Sequence, residues 1–307
     1  MRAGDVVSLR VRTPAGVAEV VGTLVAASPT TMTLRRRDGS VTEVAVDDVQ
    51  AGRVVPPGPA RTVSVRDLQA VAAQGWRASE TAWAGPWLLR AAGGFTGRAN
   101  SALVTGDDVD LDAVLAEVER WYRDRGLPPR LQVPAGDAPV GLEPLLDDRG
   151  WHASGPTHVM TAEIAPVLRA PAAAVEVDLR DRPDDAWLAL YRHQEGPLPQ
   201  VAAATLVNHP QVRFVAVRDG ARCVAIARVC IDARWAGVFA VEVHPEHRRR
   251  GLGTAVTLAG LRWAVTSGAR RAYLQVLAAN ADAVAFWHRL GFVVHHDYVY
   301  RLGSVDG

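Results

Sequence analysis

Arg248, Arg249, Arg250, Gly251 and Gly253 stand together in the run VFAVEVHPEHRRRGLGT, residues 238–254. That grouping suits an anion. The first amides of a helix have no acceptor inside the helix, so a glycine turn leading into one can present N–H groups to phosphate oxygens. A side chain at Gly251 or Gly253 would hold the anion off those amides or forbid a positive φ. The arginines add charge, although an arginine run also reads as a solvated basic face. Glu242 is the other reactive group, a carboxylate in an otherwise apolar strand.

Two elements must position these residues. Val238 to Val243 form a β-branched apolar run that predicts a buried strand, and Pro245 ends it by removing a ladder donor. The following TAVTLAGLRWAVTSG carries Val256, Ala259, Leu261, Trp263 and Ala264 at roughly helical spacing, and Gly268 stops it as a C-cap.

The pattern continues through a strand AYLQVLAAN ending at Asn280, a helix DAVAFWHRL, Gly291-Phe292 and a last strand HHDYVYRL. Together with Arg248-x-x-Gly251-x-Gly253 after a strand ending in Val243-x-Pro245, this order over about residues 175–302 resembles the GNAT superfamily of N-acetyltransferases. The resemblance implies an α/β fold with a mixed sheet flanked by helices, acetyl-coenzyme A as cosubstrate, and direct acetyl transfer to a primary amine in a ternary complex. It implies that Val241, Glu242 and Val243 line the acyl arm, with an amide near Val243 polarising the acyl carbonyl. Arg248, Arg249, Arg250, Gly251, Leu252, Gly253 and Thr254 would wrap the pyrophosphate, and Asn280 would meet the pantetheine.

Two positions depart from the family pattern. Trp287 stands where relatives often have a tyrosine acid, and an indole N–H is far too weak an acid for that task. Gln275 stands where some relatives carry a glutamate base. Glu242 is then the candidate catalytic base, since apolar neighbours raise a carboxyl pKa by desolvation; its structural alternative is an ion pair with an arginine. His244, His288 and Tyr298 stand behind it. The acceptor amine could be a polyamine-like or antibiotic amine, an amino acid, a protein N-terminus or a lysine. A non-catalytic acyl-coenzyme A sensor or scaffold is the competing reading.

The rest of the chain predicts two further modules. Residues 1–57 alternate in the β pattern with turns at Pro14-Ala15-Gly16, Ser28-Pro29 and Asp38-Gly39, which predicts a small all-β SH3-like barrel whose fifth strand is Gly52 to Val55. Arg35, Arg36 and Arg37 would alternate faces on one strand. PPGPAR, residues 56–61, reads as a stiff linker. Residues 62–171 repeat the order of the C-terminal part: Gly126, Leu131-Gln132-Val133 and Gly150-Trp151 match Gly268, Leu274-Gln275-Val276 and Gly291-Phe292. This is a degenerate GNAT-like repeat, without Arg-x-x-Gly-x-Gly and with acids between Ala102 and Asp110, so it predicts no cofactor site. Its Arg98-Ala99-Asn100-Ser101 turn could help line a shared cleft. The GNAT domain itself spans 172–307, where Trp187, Tyr191 and His193 could face the acceptor.

Composition bounds the function classes. With 307 residues and 49% hydrophobic content the chain can build real cores, and a net charge of +1 argues against a nucleic-acid partner. All 34 basic residues are arginine. Cys223 and Cys230 lie seven apart in one predicted strand, so they cannot bridge and read as buried thiols in a reducing compartment. No apolar leader follows Met1 and no apolar run reaches membrane-spanning length, so a cytoplasmic protein without membrane contact is expected.

Overall fold

A computed structural model describes residues 6–13, 16–35, 40–54, 63–191 and 198–304. The chain divides into two compact units, Met1–Val63 and Ser64–Gly307.

The first unit is an antiparallel sheet of β1 (Val6–Thr13), β2 (Gly16–Ala27), β3 (Thr31–Arg35), β4 (Val41–Ala45) and β5 (Val49–Val54), in the order β4-β3-β2-β1-β5. Alternation puts Val7, Leu9 and Val11 of β1 on one face, where they meet Leu24, Leu34 and Val44 in a core. The fifth strand starts at Val49, three residues before the expected Gly52, because the turn is completed by a short 3-10 segment at Val46–Asp48. The expected linker and Arg36 and Arg37 lie outside the described residues.

The second unit runs α1 (Val65–Gly75), β6 (Glu80–Ala84), β7 (Trp87–Ala91), β8 (Ala102–Leu103), α2 (Leu111–Arg123), β9 (Arg130–Pro134), α3 (Leu142–Asp148), β10 (His152–Ala153), β11 (Thr157–Glu163) and α4 (Ile164–Val167). It continues with β12 (Asp178–Arg180), α5 (Asp185–Leu190), α6 (Val201–Val207), β13 (Val212–Asp219), β14 (Arg222–Asp232), β15 (Trp235–Val243), α7 (Leu252–Thr266), β16 (Arg271–Leu277), α8 (Ala281–Arg289) and β17 (Val293–Leu302). Among the described residues these strands form one mixed sheet in the order β12-β13-β14-β15-β16-β11-β17-β9-β8-β7-β6, with β10 also on β17.

The sheet order is close to a palindrome. In one half β8 runs parallel to β9, with α2 between them in sequence; in the other β15 runs parallel to β16, with α7 between them. The last strands are exchanged: β11 of the first half lies between β16 and β17, and β17 of the second half pairs with β9. The residue ranges 62–171 and 172–307 therefore share one hydrogen-bonded ladder.

Core packing follows the apolar stripes. Val256, Leu258, Leu261 and Ala264 of α7 are buried with Val215, Val229, Val238 and Leu274, while Val114, Leu115, Val118 and Tyr122 of α2 are buried with Trp87, Leu89 and Leu131. Gly268 takes φ +97 just past α7, as a C-cap glycine must. Cys223 and Cys230 are free and buried.

Candidate active site

Strands β15 and β16 pair only from Trp235–Gly237 to Arg271–Tyr273, and beyond that the two parallel strands part. In the same stretch β15 carries a bulge. Its register against β14 slips between Phe239 and Glu242, with Ala240 at φ +52. A bulge re-aims the residues that follow it. Phe239 faces Trp76 and Tyr273, at ring distances of 5.1 and 5.8 Å. Val241 and Val243 pack on the α7 side, and alternation turns Glu242 to the other face.

Backbone polarity at the end of β15 follows from one bond. The His244 N–H donates to the Val224 carbonyl at 2.9 Å, so alternation turns the Val243 N–H and C=O away from β14, toward the opened side. The Val243 carbonyl there accepts from Arg248 Nε at 3.3 Å. The Val243 amide is thus presented where the strands separate.

The glycine turn delivers the chain into α7. Gly251 is the left-handed N-cap at φ +74, and no side chain caps the helix. The first intrahelical donor is Ala255 N–H to the Gly251 carbonyl at 3.0 Å, which leaves the amides of Leu252, Gly253 and Thr254 without an acceptor inside the helix. The other long helices differ: Ser64, Asp110 and Asn280 cap α1, α2 and α8 with their side chains. A Cβ on Gly253 would lie 3.5 Å from Val243 and from Phe286, an ordinary contact that leaves the position open on its outer side. Arg248, Arg249 and Arg250 are exposed, and among the described residues none of them pairs with a carboxylate. Uncapped amides, a glycine pair and guanidinium groups without a carboxylate partner together fit a pyrophosphate.

At the equivalent place in the first half, Asp110 accepts from the Ala113 N–H at 3.1 Å, and Asp107 pairs with Arg66 at 2.8 Å. A carboxylate already occupies that helix start.

The Glu242 face is built by both halves. Trp76, Phe95 and Arg98 come from the first, with the Arg98 guanidinium 4.7 Å from the Trp76 ring and 5.6 Å from Phe239. Tyr191 lies edge-on to Phe95 at 6.5 Å. Burial pushes the Tyr191 phenol up, and the charges of Arg98, Arg228 and Glu242 all reach it.

Several of the expected residues have structural roles. Trp187 is 1% exposed, donates to the Val215 carbonyl at 3.2 Å and stacks on Tyr191, so it is core. Asn100 ties the 92–96 loop, accepting from Ala92 and Gly94 amides and donating to Phe95 and Thr96 carbonyls. Ser101 binds Arg90. Asn280 is not a strand end: β16 stops at Leu277, and the Asn280 side chain caps α8 through the Ala283 N–H at 3.2 Å. Trp287 is buried between Phe286 and Phe292. Nδ1 of His288 lies 3.0 Å from the Phe292 carbonyl, and buried Tyr298 meets Tyr300. His193 is outside the described residues.

Two features had no sequence signal strong enough to name them. The bulge falls on Ala240 with no glycine to announce it. Arg228 is fully buried, donating to the Leu206 and Gly75 carbonyls at 2.8 and 2.9 Å and lying 4.8 Å from the Trp76 ring; an arginine inside the apolar run CVAIARVCI was its only trace.

A sheet whose parallel pair opens beside a strand bulge and an uncapped glycine-led helix is a GNAT fold. A GCN5-related N-acetyltransferase structure from Kribbella flavida matches with a TM-score of 0.61 at 19% identity, covering 80% of this chain and 96% of that one. The family model described as probable histone acetyltransferase Rv0428c C-terminal matches residues 62–301, and the chain belongs to that family. It is 33% identical over 306 residues to the probable histone acetyltransferase Rv0428c of Mycobacterium tuberculosis, covering 95% of this chain and 93% of the relative. It is also 28% identical over 246 residues to the uncharacterized N-acetyltransferase YobR of Bacillus subtilis, across 78% and 98% of the two chains. The protein is a GNAT superfamily N-acetyltransferase.

Proposed function

We propose that the protein transfers an acetyl group from acetyl-coenzyme A directly to a primary amine, with both substrates bound together at the opening between β15 and β16. The observation that carries this reading is the continuity of that opening with the uncapped start of α7. The amides of Leu252, Gly253 and Thr254, with Arg248, Arg249 and Arg250, hold the pyrophosphate. Val241 and Val243 flank the acyl arm, and Asn280 stands at the pantetheine side.

Acetyl-coenzyme A supplies the activated thioester. The Val243 N–H, directed into the opening, donates to the acyl carbonyl oxygen as negative charge grows there. Glu242 takes the proton of the acceptor ammonium, which must be lost before the nitrogen can attack. Trp287 cannot return a proton to the departing thiolate; His244, the residue after Val243, is the group we assign to do so, directly or through water. The name of the Mycobacterium tuberculosis relative supports a protein amine as acceptor.

The test is thiol release from acetyl-coenzyme A with a panel of amines that includes a lysine-rich basic peptide, polyamines and amino acids. Glu242→Gln keeps the shape and removes the basicity, so kcat should fall on the order of 10²-fold while cofactor affinity is retained. Cofactor binding without thiol release toward any amine would favour a sensor instead. An unchanged rate between pH 6 and 9 in the variant would make Glu242 structural.

A further inference from the structure

The first half, which lacks the glycine turn, contains a cavity of about 640 Å³ that the transfer reaction does not use. One wall is the sheet. Cross-strand register sets Thr81 opposite Arg90, and Trp83 opposite Leu88, which in turn faces Leu103. Their neighbours Ala82, Ala84, Trp87 and Leu89 point the other way, into the core beneath α2. The opposite wall is α1, whose Ala70, Ala73 and Gln74 face the sheet across the gap. The opposite stripe of α1 is anchored elsewhere: Gly75 lies against Tyr273, Cys230 and Phe239 of the second half. Anchored there, and with the small side chains of Ala70 and Ala73 at the middle of this side, the helix stands off β6–β8 and leaves the space open.

Charge selects the occupant. Three arginines border the cavity, and two of them are already neutralised. Arg66 pairs with Asp107 and Asp137 at 2.8 and 3.0 Å, and Arg77 lies 3.6 Å from Asp232. Arg90 at the floor has no carboxylate partner among the described residues. Its Nε donates to the Ser101 carbonyl and its Nη2 to Ser101 Oγ and Gln132 Oε1, each at 2.9 Å. These bonds fix the guanidinium plane over β8 and β9 and leave Nη1 without a protein acceptor. An arginine stays charged when buried, and its planar fork matches a carboxylate. At the mouth Trp83 is 64% exposed, a large apolar surface for a free chain to leave in water. A volume of this size lies within the range of small-molecule sites.

We propose that this cavity is a second ligand site, separate from the acetyl-transfer opening, and that it takes a small aromatic monocarboxylate. The ring lies on Trp83 between Leu88 and the alanines of α1, and the carboxylate meets Arg90 Nη1.

The test is calorimetry and saturation-transfer NMR on the full chain with phenylacetate, indole-3-acetate and the neutral phenylacetamide. The acids should bind one per chain, and the amide about tenfold more weakly or worse, because it cannot match the buried cation. Ala73→Leu fills the cavity from a helical position, and Trp83→Ala removes the platform from an edge strand. Each should weaken the acids about tenfold or more. An unchanged melting temperature and unchanged thiol release would show that Ala73→Leu leaves the fold and the other site intact. No saturation transfer at millimolar acid, equal binding of acid and amide, or full affinity in Ala73→Leu would each overturn the assignment.

Discussion

Gly75, the last residue of α1, lies so close to Tyr273 of β16 that a Cβ on the glycine would stand 2.0 Å from the phenol oxygen. No side chain fits there. The contact joins the first half to the strand that flanks the opening beside β15, and the Tyr273 hydroxyl is buried without a hydrogen-bond partner among the described residues.

Gly75→Ala should therefore destabilise the protein by about 1–3 kcal/mol through overpacking, despite the better helix propensity of alanine. Tyr273→Phe should be neutral or stabilising, because it deletes an unsatisfied buried hydroxyl. Urea denaturation of the two single variants and the double should show the phenylalanine recovering most of the alanine cost. Additive effects would mean that the helix end shifts rather than clashes.

Cofactor stoichiometry follows from helix capping. Acetyl-coenzyme A should bind one site per chain by calorimetry, since Asp110 occupies the start of α2 while the start of α7 is free. Gly253→Asp should fold normally, its Cβ meeting only ordinary contacts, yet lose affinity by about tenfold or more as a carboxylate confronts the pyrophosphate. Two sites, or full affinity in the variant, would remove α7 from cofactor binding.

A pH dependence is built into a buried chain of hydrogen bonds. Arg90 donates to Gln132, Gln132 to Gln69 at 2.7 Å, and Gln69 Nε2 to His296 Nε2 at 2.8 Å. His296 must accept there, so its proton sits on Nδ1, 2.8 Å from His295 Nδ1. Burial, with the His295 ring beside it, pushes the His296 pKa down from 6.5 to about 4. Between those values the unfolded chain binds the proton and the native state does not, so stability is full above about pH 6.5 and falls as the pH drops toward 4. Thermal melts should show this loss, at most about 3 kcal/mol, and His296→Gln should flatten the slope in that window. An identical slope in the variant would assign the acid sensitivity to other groups.

The exchanged strands make the two halves interdependent. A fragment of residues 172–307 lacks β11, which pairs with both β16 and β17. It should be insoluble or lack a cooperative melt, and co-expression with residues 64–171 should restore a soluble complex. Cooperative unfolding of the isolated fragment would show that β16 and β17 can pair without it.

The local elements were legible because their signals are local. The α7 stripe of Val256, Leu261 and Ala264 and the β-branched run of β15 each declare their period within a dozen residues. So did the glycine turn. What stayed hidden depends on contacts far apart in the chain. The Ala240 bulge is forced by pairing with β14, the exchange of β11 and β17 is a matter of partner choice, and Trp187 became core because the Val215 carbonyl lies 3.2 Å from its indole. The strand pattern runs on to Asn280 in the sequence because no apolar pattern separates the last residue of a strand from the cap of the next helix. The cavity under α1 was equally silent, since it arises from what Ala70 and Ala73 fail to fill.

The placement of β17 also sets a timetable for synthesis. Strand β9 emerges early, but one of its partners is the last described strand of the chain, so that edge stays bare while residues 135–302 are made, on the order of ten to thirty seconds at ordinary rates of synthesis. Through that interval the nascent first half carries an open sheet edge beside the apolar surfaces of Leu131 and Val133, a template for mispairing with neighbouring chains on the same message. Yield should therefore depend on ribosome spacing and on chaperones that shield strand edges, and codon changes that slow translation after residue 134 should lower soluble protein without altering a single contact in the finished fold.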